Sequence, residues 1–267
     1  MREAIREFFG YGELGYTREA EGYFSWQHLT FVTVLMLIMV GLAVFFGMRN
    51  KDKDDRIKNK VIIWAAFLID GFELFKIVLN CFSEGDVLAF LTDLPLFLCS
   101  IQLITIPLAA FTSGRVKEAS LDFVAIFGVL GAVLGTYLAG NNYASYPVLS
   151  FDNVVSGITH SISGFTALYI MIAGMASLKK KNIPITYAII SGFAVAAFVA
   201  NKLIDYNYMF LERGDGTPYD ILYNLVGGNP VIYPIGVVLL FFIYIIAFNA
   251  IFSYFRSRKI KGEPKAD

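Results

Sequence analysis

Residues 61–80 read VIIWAAFLIDGFELFKIVLN. A helix needs roughly 20 such residues to cross about 30 Å of hydrocarbon at about 1.5 Å per residue. The run has that length, yet Asp70, Glu73 and Lys76 interrupt it. Its status decides the topology, because removing it as a span puts the loops on either side of it on the same face of the membrane. Six other long apolar runs lie at roughly 29–47, 89–111, 121–139, 153–176, 185–204 and 230–255.

The basic residues settle how the runs are threaded. Loop 48–60 carries Arg49, Lys51, Lys53, Arg56, Lys58 and Lys60. Loop 112–120 carries Arg115 and Lys117, and loop 177–184 carries Lys179, Lys180 and Lys181. The last segment carries Arg256, Arg258, Lys259, Lys261 and Lys265. All four fall on one side only if 61–80 crosses. Segments 81–88 and 140–152 contain no Lys or Arg, and 205–229 contains only Arg213. The positive-inside rule makes the basic side cytoplasmic. The expected fold class is therefore all-α, a polytopic membrane protein with a single bundle of seven transmembrane helices, its N-terminus outside and its C-terminus cytoplasmic.

Composition agrees. The chain of 267 residues is 57% hydrophobic, with a mean hydropathy of +0.61, concentrated in blocks longer than a soluble core uses. With 22 basic and 22 acidic residues, bulk charge supports no nucleic-acid partner. One domain, 1–267, is expected. Within it, 1–27 forms an interfacial helix or a disordered leader, and 256–267 a basic cytoplasmic tail. Residues 1–24 are too polar for a signal peptide, and Phe8, Phe9 and Tyr11 beside Arg2, Arg6 and Glu7 suit an interface. Gly128, Gly131 and Gly135 are spaced for close helix packing. Pro95 and Pro107 are expected to distort the third span near both ends. Loop 205–229 is expected to cap the bundle.

Ionisable groups within lipid are costly and ask for a reason. Asp70, Glu73 and Lys76 lie near one helix face in the outer half of the second span. Cys99 is about ten residues into the third span and His160 about eight into the fifth, depths that differ by only about 3 Å for upright helices. Asp93 and Gln102 bracket Cys99. Asn201 and Lys202 occupy the outer end of the sixth span, and Gln27 and His28 begin the first. Each has an ordinary reading beside a functional one. Glu73 and Lys76 have the spacing of an internal ion pair, buried cysteine is commonly a small hydrophobe, and His28 suits an interfacial belt. Cys81, the second cysteine, sits near a membrane boundary, so a disulfide to Cys99 is not expected.

The absence of HExxH, Cys/His clusters, GxSxG, Walker and dinucleotide-binding motifs argues against the corresponding zinc, hydrolase, ATPase and redox chemistries. The last span, VIYPIGVVLLFFIYIIAFNAIF at 231–252, has no lysine for a retinal Schiff base. No cofactor or metal is expected.

Four segments carry a resemblance: Phe24-Ser25-Trp26-Gln27-His28, Leu94-Pro95-Leu96-Phe97-Leu98-Cys99-Ser100, His160, and Asn207-Tyr208-Met209-Phe210-Leu211. Together they resemble the YwaF-type family of bacterial integral membrane proteins, whose eukaryotic relatives are described as transmembrane phospholipid acyltransferases. The resemblance implies seven helices in a bacterial cell membrane and membrane phospholipids as partners. It also implies a cysteine-dependent acyl transfer with Cys99 as nucleophile and His160 as base. Phe97 stands where many members carry histidine. From depth alone, Lys76, Asn201 or Lys202 would hold the phosphate and Asp70 or Glu73 would orient His160, with Gln102 and His28 in the same polar set. The alternatives are a transporter, channel or small-molecule receptor using the outer cavity, and a non-catalytic membrane scaffold.

Overall fold

The computed structural model describes residues 2–10 and 16–262 and consists of helices joined by turns, with no strand among the described residues. Tyr11 and the side chains of the basic tail lie outside the description. In chain order the helices are α1 (Arg2–Phe9), α2 (Trp26–Asn50), α3 (Asp55–Glu84), α4 (Gln102–Phe111), α5 (Gly114–Tyr137), α6 (Gly140–Ser145), α7 (Phe151–Ile172), α8 (Ile183–Ile204), α9 (Tyr219–Leu225) and α10 (Ile232–Gly262). Among the described residues, five stretches are long and apolar enough to cross a membrane: Trp26–Asn50, Gly114–Ser145, Phe151–Ile172, Lys180–Ile204 and Ile232–Tyr254.

α5 occupies the middle. Leu121, Phe123, Val124, Ala125, Ile126 and Phe127 are all buried in succession, which a helix achieves only when neighbours cover every side. α2, α4, α7 and α8 pack around it, and Tyr244 of α10 donates to the Ile126 carbonyl at 2.7 Å. The close α5–α7 contact depends on glycine, since a Cβ on Gly128 would stand 2.7 Å from the Ala167 Cβ.

α3, the helix of the interrupted run, has its polarity turned inside out. Trp64, Phe67, Leu74, Val78 and Phe82 are exposed. Asp70, Glu73, Lys76 and Asn80 are only part-exposed, and Ile62, Ala65, Ala66 and Ile69 are buried. An apolar outer face with polar groups turned inward suits a lipid surround and would be unfavourable in water. The helix ends at Gly85, whose φ of 65° is readily adopted only without a Cβ.

The third apolar run departs furthest from a continuous helix. A 3₁₀ turn spans Val87–Thr92, residues 93–101 are irregular, and only Gln102–Phe111 is α-helical. Pro95 accounts for the break, because it has no N–H to donate and its ring forces Leu94 out of the helical region. Pro107, expected to distort the other end, is accommodated within α4. Backbone groups freed by the break need partners in an apolar surround. The Tyr208 hydroxyl supplies two, donating to the Leu91 carbonyl at 2.5 Å and accepting from the Leu94 N–H at 3.0 Å. Asn201 fixes Tyr208 in turn, accepting its N–H at 2.6 Å and donating to its carbonyl at 3.1 Å. The 94–100 and 207–211 segments thus form one physical unit. Tyr208→Phe keeps the ring but leaves two backbone groups without partners, so it is expected to cost about 1–3 kcal/mol, measured as a lowered thermal unfolding midpoint in detergent.

Cross-contacts sort the turns between two ends of the bundle. At one end Asn50 donates to the Tyr169 hydroxyl at 3.2 Å, and that hydroxyl donates to the Lys58 carbonyl at 3.0 Å. Asn59 donates to the Ala110 carbonyl at 2.8 Å and accepts from Lys117 at 2.6 Å, while Lys179 pairs with Glu118 at 2.8 Å. At the other end the Val148 N–H donates to Glu21 at 2.7 Å and Tyr16 donates to Asp152 at 2.7 Å. The N-terminal segment therefore folds back over the bundle, and Phe8 and Phe9 of α1 rest on Phe151.

Candidate functional site

The site is built on the glycine face of α5. Gly131 and Gly135 lie one turn apart. A Cβ on Gly131 would meet the Cys99 Cβ at 3.4 Å, and one on Gly135 would overlap the Cδ2 and Nε2 of His160. Two side chains that are 61 positions apart in the sequence are thereby seated together. Cys99 comes from the irregular 93–101 segment and His160 from α7.

The His160 Nδ1 lies 2.7 Å from the Ser156 carbonyl, with the Ser156 hydroxyl at 3.4 Å. A carbonyl only accepts, so Nδ1 carries the proton and Nε2 keeps its lone pair. That nitrogen is buried and has no hydrogen bond among the described residues. The Cys99 thiol lies close enough to the His160 ring for each group to act electrostatically on the other. A thiol within reach of an unshared imidazole lone pair is the arrangement that generates a thiolate nucleophile.

Beside this pair runs an ion network. Lys76 bridges Glu73 at 2.7 Å and Asp93 at 3.0 Å, and Asn80 donates to Asp93 at 3.2 Å. The i,i+3 pair is the one that spacing suggests, whereas Asp93 joins only because the irregular segment folds against α3. Glu73 is near enough to act electrostatically on Asp70, Cys99 and His160. Asp70 stays outside the ion pairs, with a buried Oδ1 that has no hydrogen bond.

The other polar candidates are placed as follows. Gln102, at the start of α4, is fully buried. Its Oε1 accepts from Thr105 at 3.1 Å, and its Nε2 has no hydrogen-bond partner among the described residues. His28 accepts the Phe24 N–H on Nδ1 at 3.2 Å and donates from Nε2 to the Thr136 carbonyl at 3.0 Å, which ties the start of α2 to the end of α5. Asn201 holds Tyr208. Lys202 pairs with Glu212 at 2.7 Å, its side chain about half exposed. Cys99, His160, Glu73, Lys76 and Asp70 are therefore brought together, while His28, Asn201 and Lys202 serve contacts elsewhere. His160 is oriented by Ser156 rather than by a carboxylate, and its position four residues before His160 on one helix is the signal that could have found it.

Phe97 packs against Tyr206, Tyr208 and Phe210, with ring centroids at 6.2, 5.0 and 5.8 Å. Phe97 thus faces the aromatic residues that follow α8. Tyr219, on α9, stacks on Phe210 at 5.6 Å and is close enough to Cys99 to feel its charge. Burial, with Tyr233 and Cys99 nearby, pushes its phenol well above the ordinary value, so Tyr219 stays neutral.

A helical bundle with long apolar spans, an apolar exterior and an inward-facing polar cluster defines a polytopic membrane protein. The chain belongs to the TMEM164 family, whose model matches residues 23–252, a stretch that includes Cys99, His160 and both glycine seats. No curated protein and no solved structure matches the chain.

Proposed function

We propose that this protein is a lipid-modifying enzyme that crosses the cell membrane seven times and moves acyl groups between phospholipids through Cys99. The seven-pass reading is supported by the gathering of the basic loops at one end of the bundle and by the lipid-type outer face of α3. It puts the N-terminus outside and the site in the outer half. The observation that carries the catalytic reading is the seating of Cys99 and His160 on adjacent turns of α5.

In the first half-reaction His160 Nε2 takes the Cys99 proton as Sγ attacks an ester carbonyl carbon. The carbon–oxygen bond breaks, the leaving alkoxide takes the proton from the imidazolium, and a thioester and a lysophospholipid result. In the second half the hydroxyl of an acceptor lysophospholipid gives its proton to His160 and attacks the thioester. The carbon–sulfur bond breaks and the proton returns to sulfur. Lys76 is already paired with two carboxylates, so its role is to hold the network beside the pair.

The protein reconstituted with labelled phospholipid is expected to form an acyl adduct on Cys99. Cys99→Ala should abolish it, and His160→Ala should slow it by about 10²–10⁴-fold. Undiminished lipid exchange in both variants would end the acyltransferase reading. The Asp70 Oδ1, buried without a hydrogen bond among the described residues, favours a second reading, a transporter or receptor using the same cavity. Flux or ligand binding that is lost in Asp70→Asn and indifferent to Cys99→Ala would establish it.

A further inference from the structure

Acylation of a thiolate places negative charge on the carbonyl oxygen, and in an apolar bundle that charge needs hydrogen-bond donors already in position. The irregular segment supplies them next to the sulfur. The turn leading into α4 is closed by Ile101, Gln102 and Leu103, whose N–H groups donate to the carbonyls of Phe97, Cys99 and Ser100 at 3.1, 3.2 and 3.0 Å. The Phe97 N–H goes to the Ser100 hydroxyl at 3.0 Å. None of these bonds uses the N–H of Leu98, Cys99 or Ser100, and the Cys99 N–H lies against its own sulfur.

A helix start of this kind is common, and the second observation is what gives this one a purpose. Gln102 is 0% exposed, yet its Nε2 has no hydrogen-bond partner among the described residues, a cost that buried amides normally avoid. The Thr105 hydroxyl shares its one proton between the Ile101 carbonyl at 3.2 Å and the Gln102 Oε1 at 3.1 Å, so the side chain is held through its acceptor end. Gln102 also follows Cys99 by three residues across the turn that its own N–H closes on the Cys99 carbonyl at 3.2 Å, and side chains of a helix lean toward its N-terminal end.

We propose that Gln102 is a catalytic residue whose Nε2, together with the backbone N–H groups of Leu98 and Ser100 in the turn before α4, binds the oxyanion formed when Cys99 is acylated. This rests on the acyl-transfer reading and extends it to the step that reading leaves unassisted. As the Sγ–carbon bond forms, the carbonyl π pair moves onto oxygen and is held by these donors. It returns to the carbonyl as the alkoxide departs with the His160 proton. A neutral amide suits the place, because a second cation beside Lys76 would have to be desolvated.

The test separates acylation from alkylation, since attack of the thiolate on iodoacetamide displaces iodide and builds no oxyanion. Full-length protein in nanodiscs is given p-nitrophenyl butyrate, the burst of p-nitrophenolate is timed, and the Cys99 peptide is followed by mass spectrometry. A parallel sample is treated with iodoacetamide. Gln102→Met, close in length and without a donor, is expected to slow the burst by about 10²–10³-fold while alkylation of Cys99 keeps its wild-type rate. An unchanged burst overturns the assignment. So does a parallel fall in burst and alkylation, which would make Gln102 a support for the thiolate or the fold. A wild-type protein that never acylates Cys99 overturns the acyl-transfer reading itself and takes this inference with it.

Discussion

Gly135→Ala is expected to remove Cys99-dependent acylation almost completely while leaving a folded protein. The added methyl would overlap the Cδ2 and Nε2 of His160. The imidazole is the end of a side chain with two free torsions, so it can swing away, at an overpacking cost of about 1–3 kcal/mol. Swinging away breaks the 2.7 Å bond from Nδ1 to the Ser156 carbonyl and carries the lone pair off the thiol. The loss should therefore match that of removing the base, about 10²–10⁴-fold. Gly131→Ala is the informative contrast. Its methyl would meet the Cys99 Cβ at 3.4 Å, an ordinary contact, so its effect should be far smaller. Rates of Cys99 acylation in the two variants, with thermal unfolding as a control, check the pair. Equal rates in Gly135→Ala and wild type would show that His160 has no part in activating Cys99.

Asp122→Ala is expected to produce the largest loss of stability, at the end of the bundle remote from Cys99. Asp122 is 1% exposed. Its carboxylate accepts from the Ser177 N–H at 2.9 Å, the Leu178 N–H at 2.8 Å, the Asn182 amide at 2.7 Å and the Ser177 hydroxyl at 3.0 Å. It fastens the turn between α7 and α8 onto α5. Alanine would leave several buried donors without an acceptor, each worth about 1–3 kcal/mol, for a total on the order of 4 kcal/mol after relaxation. Asp122→Asn keeps one acceptor and sets its NH₂ against existing donors, so it should recover only part of the loss. The measurement is the unfolding midpoint in detergent, together with proteolysis between residues 174 and 182. An Asp122→Ala protein as stable and as protease-resistant as wild type would show that the turn is held by other contacts.

Parts of this were legible from residue order alone. The apolar runs that became α2, α5, α7, α8 and α10 could be read directly, because helix length and apolar composition are local properties answering to a solvent of fixed thickness. The Glu73–Lys76 pair could also be anticipated, since i,i+3 neighbours on one helix meet whatever surrounds them. The similar depth of Cys99 and His160 followed from counting residues.

The rest depended on which helix faces which. Residues 89–111 looked like one distorted helix, and Pro95 signalled a distortion, but an irregular segment of this length is affordable only because Tyr208 arrives from more than a hundred positions away to satisfy Leu91 and Leu94. Asp122 carries no local mark of its importance, for its partners lie 55–60 residues downstream. Gly131 and Gly135 announced close packing without saying what would press against them. Lys202 had a plausible depth for a phosphate ligand, yet the rotation of α8 turns it toward Glu212.

The sequence by itself determined that the chain is a helical membrane protein, because hydropathy and charge answer to the bilayer one segment at a time. Packing alone sets Cys99 and His160 on adjacent glycine seats, Gly131 and Gly135, and brings Asp93 to Lys76. It also decided that Phe97 faces an aromatic loop and Gln102 keeps a free donor. Each of these depends on the rotation and register of packed helices, which one apolar residue specifies much as another does until the neighbouring helix is in place.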